Sequence, residues 1–312
     1  MEKKRKKFVV QLLCLLGMTI GLGIMGYPIV SDLWNKYRND QIADEYENNV
    51  KELDKEQIDK MWADAKAYND QHTVNFVKDV FHDNEDYVLS HPYDQLLNPT
   101  NDNVMGYIEI PKINVRLAIY HGISEDVLSN GVGHVEGTSL PIGGVGTHTV
   151  LSGHRGLPSA KLFTDLDQMK EGDLIYLHIL DKTMAYRVDK IDTVLPEDTS
   201  GLAIEPDSDL ITLITCTPYG VNSHRLLVRG RRVDPVPIEQ KKITPIEQVS
   251  NMPIKEKALA IGLVISPILL IVLVINDRRK EKRKSKNFFR WDEETIEYWD
   301  CALTSTRIFN FR

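Results

Sequence analysis

Cysteine is scarce in this sequence, whose 312 residues include three: Cys14, Cys216 and Cys301. Cys14 falls within a long apolar run and Cys301 within the C-terminal tail, so the polar middle of the chain holds Cys216 alone. A single thiol cannot form an internal disulfide, which excludes a disulfide framework. Cys216 is therefore a buried inert side chain, a link between two chains, or a reactive thiol.

Metal-binding spacings are also missing, because the sequence contains neither a CxxC nor an HExxH motif. We expect no metal, nucleotide or flavin cofactor. The chain has a net charge of −7, and acidic side chains outnumber basic ones in residues 31–257. Since a nucleic-acid-binding surface needs clustered cations, this composition argues against nucleic acid as a partner.

Two apolar runs are each close to the length that crosses a bilayer as a helix, residues 8–30 and 258–275. No small-x-small cleavage site follows the first run, so we expect an uncleaved signal anchor, with a cleaved signal peptide as the alternative. Basic clusters flank both runs on their outer sides. The positive-inside rule then predicts a multi-pass protein of the cell membrane, with the basic N-terminus 1–7 and the tail 276–312 in the cytoplasm.

Between the two runs, the pattern predicts an extracellular helical segment and lid-like loop at 31–103, a mainly β domain at 104–234, and a Pro-containing linker at 235–257. Short segments rich in β-branched residues, most of them separated by turn residues, predict a closed and mostly antiparallel barrel of about eight strands with short helices. The predicted strands are 104–110, 115–121, 148–154, 173–180, 184–195, 209–217 and 224–233. One brief helical stretch is expected near Ser159–Met169.

Three residues carry candidate chemistry. Cys216 ends an apolar strand, and Arg225 returns beside it if the strands on either side of Pro218–Ser223 form a hairpin. His154 ends another predicted strand. A thiolate attacks acyl carbon, an imidazole moves the proton, and a guanidinium holds the developing oxyanion. The implied reaction is acyl transfer through a thioester.

Several motifs resemble those of class C sortases, the pilus-polymerising sortases of Gram-positive bacteria. Thr212–Cys216 resembles the TLxTC motif, Ser152–Gly156 the histidine segment, and Asn222–Gly230 the arginine segment, in the family's order. Further segments that agree with this class are Met105–Pro111, His134–Pro141, Gly156–Phe163 and Cys216–Gly220, with Ala65–Asn69 as a weaker match.

The resemblance implies a sortase-type β-barrel with Cys216 as nucleophile, His154 as acid/base and Arg225 as the oxyanion or orienting residue. It also suggests Thr215 as a substrate contact. The implied partners are the membrane and pilin or surface proteins that carry an LPxTG-like sorting signal, which is cut between Thr and Gly. Pilin-directed members then transfer the acyl group to a lysine of another pilin subunit.

Class C sortases usually carry a lid with an Asp-Pro-aromatic tripeptide. The counterpart that we favour is Asp79-Val80-Phe81, in which valine replaces proline and so removes a backbone restraint. The rival segment is His91-Pro92-Tyr93, which has the proline but no aspartate. The resemblance assigns Asp79 and Phe81 to the lid, where they would cover the active site.

Three other functions stay open on the sequence. The chain could attach single surface proteins to the cell wall, act as a plain cysteine peptidase, or serve as a non-catalytic surface binding module. The active-site residues alone do not decide whether water or an amine accepts the acyl group.

Overall fold

The computed structural model describes residues 2–71 and 93–233, together with eight separate positions between 262 and 280. The chain divides into two compact units, one formed by Met1–Gly26 with Ile243–Arg312 and the other by Tyr27–Lys242. The predicted linker at 235–257 and most of the predicted second span at 258–275 lie outside the described residues. All elements that position the candidate site belong to the Tyr27–Lys242 unit.

Three α-helices are described: α1 (Glu2–Glu52), α2 (Lys55–Gln71) and α3 (Glu125–Asn130). The first contains the predicted anchor and continues through Pro28 into the polar sequence that follows. Within the described part of the chain, one helical stretch, Leu16–Glu52, is long and apolar enough to cross a membrane by length and composition. This N-terminal apolar helix could serve as an anchor.

Eight strands form a closed barrel in the order β1-β2-β3-β4-β7-β8-β6-β5, with β5 pairing back onto β1. Most neighbours are antiparallel, but β2–β3 and β4–β7 are parallel pairs. The strands are β1 (Val104–Ile110), β2 (Val115–His121), β3 (Val132–His134), β4 (Thr147–Ser152), β5 (Leu174–Ile179), β6 (Lys182–Val194), β7 (Asp209–Thr217) and β8 (His224–Val233).

The predicted fold class, a closed and mainly β barrel of about eight strands, is confirmed. The strand that the sequence did not predict is β3, whose three residues are too few to show an alternating pattern. Helix α3 was also not predicted, since its six residues form fewer than two turns and carry little periodicity. A helical stretch expected near Ser159–Met169 is reduced to a 3-10 turn at Leu166–Gln168.

Helix α1 packs on the barrel through a stripe at helical spacing, formed by Asn39, Ala43, Tyr46 and Val50. Tyr46 ties the helix to β1 and to the turn after β5, because its hydroxyl donates to the Met105 carbonyl (2.8 Å) and accepts from the Leu180 amide (2.9 Å). The helix is therefore held to the barrel by oriented hydrogen bonds as well as by apolar burial.

A buried polar network lies where β2 and β3 end. The Tyr93 hydroxyl donates to Nδ1 of His134 (2.7 Å) and accepts from the Gly122 amide (3.1 Å). Nε2 of His134 donates to the Ser139 carbonyl (3.0 Å). These partners suit a neutral imidazole, and burial lowers the pKa of His134 to about 4.

This network predicts a loss of stability in acid. An unfolded histidine titrates near a pKa of about 6.5, so the unfolded chain takes up the proton before the folded chain does. The contribution of neutral His134 is complete above about pH 6.5 and disappears as the pH falls towards 4, a loss of about 3 kcal/mol. Urea unfolding midpoints of the full chain in detergent, measured between pH 7.5 and pH 4, report this loss as a slope.

The matched variant is His134→Gln, which keeps a donor for Ser139 but cannot take up a proton. It should flatten the pH slope, because glutamine at this position does not titrate. A residual slope is expected, because burial also lowers the pKa of His121 and of His148. If the pH slope were unaltered in His134→Gln, His134 would not be a source of the loss of stability in acid.

Candidate active site

Strand β7 carries Cys216 near its carboxyl end, where the side chain is partly exposed. In the antiparallel β7–β8 ladder, Cys216 lies directly opposite Arg225, and Thr217 lies opposite His224. Residues paired in this way project to the same face, with Cβ atoms roughly 5 Å apart. The hairpin predicted through Pro218–Ser223 therefore places the thiol and the guanidinium side by side.

Arg225 is almost completely buried, with 6% of its surface exposed. Its Nη1 donates to the carbonyls of Asn222 (3.2 Å) and His224 (3.3 Å), both in or next to the turn that joins β7 to β8. These two hydrogen bonds hold the Arg225 guanidinium in one orientation relative to the turn. A charge held in this way beside a thiol can stabilise an oxyanion with little reorganisation.

His154 reaches the same edge of the barrel through the parallel β4–β7 pair. Ser152 lies opposite Ile214, so that two residues further along each chain His154 comes level with Cys216. The Gly153 amide continues the ladder by donating to the Ile214 carbonyl (3.1 Å). Because the carboxyl ends of parallel strands share an edge, His154 and Cys216 lie at the same edge of the barrel, and the antiparallel β7–β8 pair places Arg225 there as well.

Two further charged side chains at this edge were not anticipated. Glu125, at the start of α3, places Oε2 3.3 Å from Nε2 of His154. The signal available in the sequence was the helix-start pattern Ser124-Glu125-Asp126, and Ser124 does cap α3. The pattern predicts a short helix but not the residue that its first carboxylate faces.

Arg155 is the second unanticipated side chain. Its Nη1 donates to the Thr217 hydroxyl (3.1 Å), its Nη2 pairs with Asp167, and its guanidinium lies over the Tyr219 ring at 6.0 Å. Among the described residues its buried Nε has no hydrogen-bond partner. Arg155 thus links the histidine segment to the residues that immediately follow the cysteine.

Thr215 is enclosed, and its hydroxyl donates to the Gly153 carbonyl (2.8 Å). In this arrangement Thr215 joins the cysteine strand to the histidine segment from the interior side of β7. Its suggested contact with substrate stays a prediction.

The favoured lid residues Asp79 and Phe81 lie outside the described residues. Of the rival segment, Tyr93 is described, and it is a core residue whose ring packs against His121 and His134. That environment accounts for Tyr93 as part of the barrel's polar network. The assignment of Asp79 and Phe81 to a lid stays a prediction.

Gly153 is a position where a side chain would not fit. A Cβ atom there would lie 2.7–3.1 Å from three ring atoms of Phe163, a fully buried residue. We expect Gly153→Ala to lower the free energy of unfolding by about 1–3 kcal/mol, as overpacking does in other cores. Urea unfolding in detergent measures the change.

The matched control is Gly201→Ala, whose added methyl group would meet only the flexible end of Leu227 at 3.3 Å. That variant should differ from the parent by less than about 0.5 kcal/mol. Equal stability of the two variants would mean that the Phe163 ring yields freely.

Comparison with known proteins agrees with this geometry. Residues 108–233 match the family model described as Sortase domain. Sortase D of Bacillus subtilis is 31% identical over 138 residues, which are 43% of this chain and 67% of that protein. Sortase C-1 of Streptococcus pneumoniae superposes with a TM-score of 0.59 at 42% identity, over 63% of this chain and all of that one.

Sortase C-1 of Actinomyces oris superposes with a TM-score of 0.53 at 46% identity, over 57% of this chain and 99% of that one. These similar structures are sortases of the C type, the class that the motifs resemble. These relatives, together with the barrel and with histidine, cysteine and arginine segments that occur in the family's order, show that the chain belongs to the sortase family of cysteine transpeptidases.

Proposed function

We propose that this chain polymerises pilins, by cutting an LPxTG-like sorting signal between Thr and Gly and joining the acyl group to a lysine of a pilin subunit. The observation that carries the proposal is the strand register that brings Cys216, Arg225 and His154 to one barrel edge. The solved relatives support the pilin substrate. One of them is Streptococcus pneumoniae Sortase C, 42% identical, whose crystal structure gave insight into pilin substrate specificity. Another relative, 39% identical, is Sortase C1 of GBS Pilus Island 1.

In the first half-reaction, the Cys216 thiolate attacks the threonine carbonyl carbon of the sorting signal. Arg225 donates hydrogen bonds to the oxygen that becomes negative in the tetrahedral intermediate. His154 gives a proton to the glycine amine as the C–N bond breaks. The products are a thioester on Cys216 and a free glycine amine.

In the second half-reaction, the ε-amine of a pilin lysine attacks the thioester carbonyl. His154 accepts the proton that the amine loses, and the Cys216 thiolate leaves as the isopeptide bond forms. Water in place of the amine gives hydrolysis, and an amine of the cell wall gives attachment of a single protein. The acceptor therefore distinguishes the proposed function from its alternatives.

We also propose that the catalytic unit lies outside the membrane. The basic residues at 3–7 precede the first apolar run, and those at 278–284 follow the second, which favours two spans with both termini in the cytoplasm. The apolar helix at the N-terminus supports the first of these spans.

Arg225→Lys tests the proposed oxyanion role. Lysine keeps the positive charge but loses the planar fork of donors, so turnover of an LPxTG-type peptide should fall by about 100-fold while the fold stays intact. Arg187, exposed on β6, is the matched position, and Arg187→Lys should keep full turnover. Peptide cleavage by the full chain in detergent measures both. Near-full activity in Arg225→Lys would remove Arg225 from the mechanism.

The complete reaction is tested by mixing the full chain in detergent with an LPxTG-type peptide and a lysine-bearing pilin fragment. Mass spectrometry should detect a thioester on Cys216 and then an isopeptide-linked product, and neither should form with Cys216→Ala. A second protein carrying Asp79→Ala and Phe81→Ala is run in parallel, because the family resemblance predicts that these residues cover the site.

Other outcomes separate the alternatives. A thioester that only hydrolyses would favour a peptidase or an untested acceptor and would count against pilin polymerisation. No adduct in either active protein, with several signal variants tried and the fold intact, would favour a binding module.

A further inference from the structure

An apolar stripe continues along α1 beyond the end of the first apolar run. Tyr27, Val30, Trp34 and Tyr37 recur at steps of three and four residues, which places them on one helix face. All four are exposed, Trp34 by 66% and Tyr37 by 53%. Trp34 and Tyr37 also contact each other, with ring centroids 6.0 Å apart. A helix face towards water would carry polar residues at these positions.

The other side of the same turn of α1 is bound to the loop that follows His154. The Lys161 amide donates to Oδ1 of Asp32 (2.7 Å), and the Ser31 hydroxyl donates to the Pro158 carbonyl (3.2 Å). Ser31 is the first residue after the apolar run 8–30. The loop is therefore attached to the chain at the point where the chain leaves that run.

The loop in turn contacts the cysteine end of the site. A Cβ atom at Gly156 would lie 3.0 Å from the Tyr219 ring, so loop and ring are in direct contact. Tyr219 and Val221, both in the turn that joins Cys216 to Arg225, are themselves exposed by 60% and 68%. Exposed aromatic and apolar side chains are thus present both on α1 and at the rim of the candidate site, and the loop lies in contact with both.

We propose that this face is a membrane-surface contact, in which Trp34 and Tyr37 lie among the lipid headgroups and the Pro158–Lys161 loop lies against the same layer. Lipid is the occupant that fits this face, because the stripe directly prolongs the apolar run of a proposed span. Val30 to Tyr37 covers about 10 Å of helix, comparable with a headgroup layer of roughly 5–8 Å. Tryptophan and tyrosine are the residues enriched at that depth.

The proposal rests on the membrane anchoring proposed above and deepens it. It adds the side of the catalytic unit that faces the bilayer, which is the side that carries the Pro158–Lys161 loop.

The experiment places a fluorophore at two exposed positions of the full chain in vesicles of phosphatidylcholine and phosphatidylglycerol. Single cysteines replace Lys161 and Val145 in a background of Cys14→Ser, Cys216→Ala and Cys301→Ser, and each is labelled with NBD. Val145 precedes β4 at the end opposite His154, about 20 Å away along the strand. A lipid with a spin label on its headgroup should quench the label at 161 several-fold more than the label at 145.

Equal quenching at the two positions, whether strong or absent, would overturn the proposal. A second measurement compares proteins that retain Trp34 alone or Trp62 alone, the other tryptophans being replaced by phenylalanine. Trp62 lies on α2 and donates to Asp181. The same spin-labelled lipid should quench Trp34 and spare Trp62, and the reverse order would contradict a headgroup position. The quenching measurement requires no catalysis, and the peptide assay requires no vesicle. Failure of the membrane-surface proposal can therefore be distinguished from failure of the proposed function.

Discussion

The candidate site depends on the position of β7 between a parallel neighbour, β4, and an antiparallel neighbour, β8. The parallel pair makes the chain reach His154 at the edge where β7 reaches Cys216, and the antiparallel pair returns Arg225 to that edge. Alternation along the strand makes the register strict. A slip of one residue would turn Cys216 to the interior side, where Thr215 now lies. By fixing the register, the apolar residues of β7 thus determine which face of the strand the Cys216 thiol occupies.

Burial of Arg225 explains why the turn after Cys216 belongs to the site. An enclosed guanidinium needs partners for its donors, and the carbonyls of Asn222 and His224 supply two of them. Asn222 and Gly220 have positive φ angles of 58° and 75°, which aim the turn's carbonyls in a way that few residue types allow. The Arg225 guanidinium is therefore positioned by backbone conformation in the turn as well as by the β8 ladder.

The sequence predicts those elements whose pattern is formed by residues close together in the chain, and it does not predict contacts between residues that are far apart. Strands such as Val104–Ile110 and Asp209–Thr217 were located to the residue because alternation and turn residues are local signals. The three-residue strand at Val132–His134 was missed because its pairing depends on partners far along the chain. The contact of Glu125 with His154 joins positions 29 residues apart and leaves no local trace. Cys216, Arg225 and His154 could be named from motifs, but the parallel pairing that brings His154 in could not.

Buried polar groups decide where α1 meets the barrel. Asn39 is 1% exposed; its Oδ1 accepts from the Ala118 amide (3.1 Å) and its Nδ2 donates to the Asn130 carbonyl (2.9 Å). A slide of α1 by one turn would leave these buried groups unpaired, at a cost of about 1–3 kcal/mol for each, whereas apolar contacts alone would tolerate the slide better. Because Asn39 fixes the register of the helix, it also fixes which residues of α1 reach the loop after His154. The contacts of Ser31 and Asp32 with that loop thus depend on hydrogen bonds of Asn39 that lie outside the candidate site.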